Sequence, residues 1–486
     1  MHRYLYHALG GFRSLFSHRR TWLKFAMVVL GFLASAEMVG VSSWCRFWVL
    51  DVNGYHSLLQ FFRSKAWSLS KLTRHWAVFV LAQQQVVELQ GGRCVLLGDH
   101  TVVVKEGRRM PGVVAIHQDS ETQTKPSYFR GQCWGALGIV AGSLAAPFCL
   151  PLKLRIHQGW KHLGQVDDQV TRTQTLTHRL VRMALDFATT HDRPSILVLD
   201  AFFSVASVFR LANAVWSVKL KAPYLTLIVR AKKNYVAYFE PEPPKPGQRG
   251  RPRTYGDKLK LMECFDYVHL FSTVSCRVYG QLEQVSMLTL NLIWKPTGGL
   301  IRFVFAVTRR GPIVIMCSDL NQDPVLALEL YCVRTWIEVM FGQLKHLIGA
   351  FQFRFWSKKM PRHSRAPKTN RALKAPTTAE LGKVQQCWQA YERFAMLGAI
   401  ALGLLQLMAL KFSSSIWQQH RGFLRTRSRA LPSERTVKQV IMPLVVRDFL
   451  NPACGGIIHE IRTRYSKQPT APPASNSSPD TENQAA

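Results

Sequence analysis

Hydrophobic and polar positions divide the chain into stretches of different texture. Residues 1 to about 88 mix aromatic and basic positions at helical spacing. The most regular stretch is YHSLLQFFRSKAWSLSKL, where Phe61, Phe62 and Trp67 supply an apolar side and Arg63, Lys65 and Lys71 a charged one. From residue 93 the pattern turns β-branched. RCVLLGDHTVVVKEG (93–107), SYFRGQCWGALGIVAG (127–142) and PFCLPLKLRIHQG (147–159) predict three strands. A polar helix over 166–191, the apolar strand SILVLD (195–200), a helix over 202–217 and a strand over 224–239 follow. Three hairpin-linked strands followed by helical crossovers predict an α/β fold, a mixed sheet covered by helices.

Beyond residue 240 the pattern is interrupted by cationic loops. PEPPKPGQRGRPRTYGDK (241–258) reads as a mobile loop, and the alternating runs of 259–319 predict a strand-rich segment that returns the chain to the sheet. YCVRTWIEVMFGQLKHLIGAF (331–351) predicts an amphipathic helix, with Asp323 as cap, Pro324 at its first position and Gly349 at its end. At about 100° per residue, Tyr331, Arg334, Glu338 and Lys345 fall within an arc of roughly 60°. Val333, Ile337, Met340, Leu344 and Leu347 take the other side. As a bland surface helix it needs only an Arg334–Glu338 pair. Residues 356–376 read as another basic loop and 420–438 as one more basic segment, a buried helix covers 394–410, and the last twenty residues, from Lys467, read as a disordered tail.

Charge changes the picture most. The 486 residues carry 63 Lys and Arg against 29 Asp and Glu, a formal net charge of +34. Self-repulsion on that scale points to a polyanionic partner, nucleic acid first and an anionic membrane surface second. The ten cysteines are scattered singly without a Cys-x-x-Cys pair, which argues against a zinc site or disulfide framework and fits a reducing cytoplasm. The apolar runs 25–44 and 394–410 are polar or short for membrane spans, so burial within the protein is expected and stable membrane insertion is not.

In a chain so short of acids, Asp99 within CVLLGDHTVVV and Asp200 at the end of ILVLD stand out. An Asp that closes a strand often only begins a turn. If the two strands lie parallel and adjacent, however, both carboxylates meet, and a helix packed above adds Glu338. Three converging acids repel one another unless a hard divalent cation such as Mg²⁺ or Mn²⁺ joins them. Two such ions can activate a nucleophile and stabilise the leaving oxygen of a phosphodiester.

Tyr331-x2-Arg334-x3-Glu338-x6-Lys345 resembles the Tyr-Arg-Glu-Lys signature of a group of bacterial insertion-sequence transposases of the DDE superfamily. LLGDHTVVVKEGRRMPGV and ILVLDAFFS are similar to the segments around that group's first and second catalytic Asp. The resemblance implies a ribonuclease H-like mixed sheet flanked by helices, with an N-terminal helical domain and a β-rich insertion before the catalytic helix. The 137 residues between Asp200 and Glu338 leave room for that insertion. It implies Asp99, Asp200 and Glu338 as catalytic metal ligands for Mg²⁺, with Mn²⁺ able to substitute, and Tyr331, Arg334 and Lys345 as contacts to DNA. His100 departs from the small polar residue common after the first acid. Trp134 and Trp294 suit base stacking or, as the more ordinary reading, core packing.

On this reading residues 1–90 are a helical DNA-binding domain and 91–235 the first part of the catalytic core. Residues 236–320 are the β-rich insertion, 321–412 the second part of the core, 413–465 a basic helical segment and 466–486 a disordered tail. The expected activity is metal-dependent cleavage at terminal inverted repeats and strand transfer into target DNA. The expected working form is a homodimer on double-stranded DNA, in a bacterial cytoplasm beside the nucleoid. A ribonuclease H-like nuclease without strand transfer, an inactive DNA-binding remnant and a membrane protein are the alternatives.

Overall fold

In the computed structural model, residues 1–37, 40–117, 127–163, 175–218, 221–244, 250–362, 376–424 and 430–465 are described. The tail expected over 466–486 lies outside them, as do the middles of the basic loops and the start of the helix expected from 166.

The aromatic and basic N-terminal texture resolves into five helices, α1 His2–Gly11, α2 Arg19–Ala34, α3 Val41–Phe47, α4 Val52–Arg63 and α5 Leu69–Leu81. The side chains of Asp51 and Ser68 cap α4 and α5 by accepting from the backbone amides of Gly54 and Lys71. The apolar run that begins at Phe25 is not one long helix: α2 stops at Ala34 and α3 starts at Val41. Gly31 lets the Trp44 ring lie across α2, since an added Cβ would stand 2.6 Å from it.

The β-branched texture gives β1 Arg93–Val104, β2 Val114–His117, β3 Tyr128–Ser143, β4 Ala146–Ile156, β5 Ser195–Leu199 and β6 Leu225–Arg230. After them come β7 Val236–Tyr238, β8 Lys258–Lys260, β9 Ser272–Val278, β10 Gln281–Trp294, β11 Gly299–Thr308 and β12 Gly311–Cys317. With the two-residue strand Glu88–Leu89 they form one thirteen-stranded sheet in the order β8-β7-β10-β11-β12-β6-β5-β1-β3. β2 and β4 pair with β3, and β9 pairs with β10. β1, β5 and β6 run parallel to one another in this centre, while the other pairings are antiparallel. The segment between β7 and β12 therefore extends the same sheet rather than standing apart from it.

Several elements differ from the sequence expectation. The strand expected over 224–239 is broken after Arg230, because the polar run Lys232–Asn234 turns the chain and the Tyr235 amide donates to the Lys232 carbonyl. The helix expected over 202–217 shrinks to α7 Ala206–Ala212; the Asp200 side chain first caps a short turn at Ala201–Phe203. β2 was not expected from the pattern at all.

Helix α6 Leu176–Thr190 crosses from β4 to β5. Its Leu180 lies 3.0 Å from where a Cβ on Gly98 would be, so α6 covers the face to which Gly98 points. Side chains alternate along a strand, so the next residue, Asp99, faces the opposite side, where α8 Pro324–Val333 and α9 Trp336–Gln343 pack. α10 Thr378–Lys411 packs against β4 and α2. It is long and apolar enough to cross a membrane by composition, yet 89% of that apolar window is buried inside the protein. α11 Ser413–Gln419, α12 Glu434–Leu450 and α13 Gly456–Tyr465 complete the helical layer. Trp134 and Trp294 are buried, as core packing requires.

Candidate active site

Parallel pairing of β1 with β5 sets the first geometric fact. Leu96 faces Leu197 and Leu97 faces Val198 in register. Carried on by two residues, that register puts Asp99 beside Asp200. Asp99 is mostly buried, its side chain 19% exposed, and one of its oxygens accepts the His100 amide at 2.7 Å. Burial, and then the neighbouring Asp200 charge, push the Asp99 carboxyl up to about 6. Burial raises Asp200 as well, against the pull of Arg334. Burial is the larger cause in both, and Arg334 opposes it.

Arg334 supplies the opposing charge. Its guanidinium, with the side chain 12% exposed, donates to Asp99 Oδ2 at 3.1 Å and to Glu338 Oε1 at 2.8 Å. Burial works against its charge, but Asp99, Tyr331, Asp200 and Glu338 outweigh that and hold its pKa above the ordinary value. The expected single helix is broken here: α8 ends at Val333, α9 starts at Trp336, and tight turns bridge them, with the Arg334 amide on Tyr331 and the Ile337 amide on Arg334. α9 then passes into a wide π turn at Leu344–Ile348 and stops on Gly349, left-handed as expected.

The structure thus brings Asp99, Asp200, Arg334 and Glu338 together. Glu338 is the outermost, its side chain 58% exposed. Tyr331 adjoins Arg334 but is buried, and Lys345 is directed away from the acids. The Tyr331 ring is buried beneath α8, which raises its hydroxyl pKa, with Arg334 and Arg230 opposing. Lys345 turns onto β1, donating to Thr101 Oγ1 at 2.6 Å and to the Val102 carbonyl at 3.2 Å.

Around Asp99 lies a shell that sequence reasoning did not foresee. His100 stacks on Phe203 with an interplanar angle of 7° and meets His157 through ring nitrogens 2.9 Å apart. Burial lowers His100 to about 4 and puts His157 well below its usual value, so both rings stay neutral. Gly135, opposite His100 in the hairpin, leaves the space for His157: a Cβ there would be 2.1 Å from the ring. Below them the Lys105 ammonium donates to the carbonyls of Phe351 and Phe353 and lies over the Phe353 ring. Only His100 carried a sequence signal, through its place after Asp99.

Chemically, three carboxylates face one guanidinium, and every acceptor is a hard oxygen, the donor type that divalent cations such as Mg²⁺ and Mn²⁺ take. Among the described residues no three His, Cys, Asp or Glu side chains lie close enough to hold one ion. Arg334 stands between Asp99 and Glu338 instead. The chemistry of the donors suits such an ion, but as placed the three carboxylates do not converge on one position.

Comparison with curated proteins gave no match. Comparison with protein families gave one: residues 12–285 match the model of the DDE superfamily endonucleases, a stretch that contains Asp99 and Asp200 and stops short of Glu338. Enzymes of that superfamily act on phosphodiester bonds of DNA and generally use divalent metal ions. The match spans more than half the chain, and the mixed sheet flanked by helices is consistent with a ribonuclease H-like core. The chain therefore belongs to the family of DDE superfamily endonucleases.

Proposed function

We propose that the protein is a transposase of the Tyr-Arg-Glu-Lys group, carried by a bacterial insertion sequence and working in the cytoplasm. It would cleave DNA at the terminal inverted repeats of its element and join the freed ends to target DNA. The observation that carries this reading is the register of β1 and β5, which aligns Asp99 with Asp200 under the helix that brings Glu338.

Asp99, Asp200 and Glu338 would hold the divalent ion, most simply Mg²⁺, with Mn²⁺ able to replace it. When bound, that ion supplies Lewis-acid activation of water and neutralises charge on the leaving oxygen. The chain's own share is placement. Asp99 is held within the β1–β3 ladder and Asp200 caps the turn that follows β5, with Phe203 and His100 packed beside them. Arg334, released from the acids, is placed to meet a phosphate oxygen of the DNA. Lys345 and Tyr331 would act beside it, Lys345 by leaving Thr101 for the backbone and Tyr331 by holding α8 in place. Two transposon ends must be held together, so two copies of the chain are the expected working unit.

Glu338→Gln is the test. The purified variant should retain affinity for a terminal-repeat duplex within about twofold while Mg²⁺-dependent cleavage falls by at least about 1000-fold. Cleavage at the wild-type rate would remove Glu338 from the chemistry. A precleaved end offered with target plasmid then separates a transposase from a nuclease that cannot join.

A further inference from the structure

We infer that the basic groove between α4, residues 352–359 and the first turns of α10 holds a single DNA strand, with an unpaired base stacked on Trp356. This rests on DNA being the substrate, and the groove shares no residue with the carboxylate site. Its volume is about 880 Å³. Arg63, Arg354, Lys358 and Lys383 line it, and among the described residues none that lines it is acidic. Lys359, at its rim, is partly balanced by Glu380 at 3.7 Å. Two aromatic rings open into it, Trp356 at 48% and Tyr55 at 37% exposure.

The groove is built rather than incidental. Its floor residue Phe355 stacks on Tyr391 and on Phe62, and its carbonyl accepts the Tyr391 hydroxyl at 2.8 Å. Arg393 pins the end of α4 through the Phe62 and Ser64 carbonyls. Lys105 ties the start of the floor segment to β1, the strand that carries Asp99. Four cations tracking a backbone beside exposed ring faces is the chemistry of single-strand binding, where bases stack on aromatics. A duplex keeps its base faces inside the helix and offers nothing to Trp356. An unpaired nucleotide, such as one from an opened or cut end, offers a full face. Phosphates on the cations and a base on the indole then satisfy both halves of the lining.

Fluorescence anisotropy of the full chain with a labelled twelve-nucleotide oligothymidylate, and with a blunt duplex of equal length, tests this. Trp356→Ala should weaken the single strand about tenfold, leave duplex affinity within about twofold and keep the salt slope. Trp356→Phe should retain most of the affinity, which separates stacking from folding. Lys358→Ala with Lys383→Ala should lower the slope of log K against log salt by about 1.4 for the single strand. Unchanged oligothymidylate binding by Trp356→Ala, with duplex binding intact, overturns the groove and leaves the DNA enzyme standing. Failure of the wild-type chain to bind either probe overturns both.

Discussion

Arg334 donates to Asp99 at 3.1 Å across 235 positions of chain, and the same guanidinium reaches Glu338 one turn further on. A cation from the helix thus holds an acid from the sheet. This contact joins the two halves of the site.

Replacing Arg334 by Met keeps the length and removes the charge. Breaking a buried ion pair on one side costs about 3 kcal/mol, and the half-exposed Glu338 adds little. The urea midpoint of the metal-free variant should fall accordingly, and Mn²⁺ should raise its melting temperature more than that of the wild type. An unchanged midpoint would mean that the acids do not need the guanidinium.

Lys105 links stability to pH. Burial, with repulsion from Arg354, lowers its amine to about 7, against an unfolded value of about 10.4. Between those values the unfolded chain holds the proton and the folded chain does not, so this group's contribution to stability rises with pH. The difference in unfolding free energy between wild type and Lys105→Met should widen from pH 7 to pH 10. A constant difference would contradict the burial of this amine.

Arg393 sets how firmly the N-terminal helices are attached. It is 8% exposed, donates to the carbonyls of Phe62, Ser64 and Trp67, and lies over the Trp67 ring. Arg393→Met leaves three carbonyls without their donor, at about 3 kcal/mol or more. Limited proteolysis should cut within residues 50–68 of the variant much faster than in wild type.

Gly135→Ala tests the histidine pair. The new methyl would overlap the His157 ring, and overpacking of this kind costs about 1–3 kcal/mol. Adding His157→Ala should recover most of that loss in thermal melts. If the double variant is no more stable than Gly135→Ala, the overlap is not the cause.

The convergence of Asp99 and Asp200 was legible because it needs only local facts: two apolar strands, a crossover helix and the right-handed parallel pairing such units adopt. Helix-end signals at Asp323 and Gly349 were equally local. The stripe of Tyr331, Arg334, Glu338 and Lys345 was read from an ideal helix, and it lost its continuity where the chain tightens at Arg334 and widens at Leu344. Those departures answer contacts made over more than 200 residues, such as Lys345 on Thr101 and Lys105 on Phe351. No spacing within a segment records them. The same holds for His157, whose partner on β1 is chosen by hairpin register rather than by any motif.

The strands between Val236 and Cys317 join β6 through β12, and β6 in turn pairs with the strand leading to Asp200. A lobe hung on two linkers swings; this one is laminated into the plank that bears the acids. Its outer margin is thereby continuous, ladder by ladder, with the strands that carry or lead to Asp99 and Asp200.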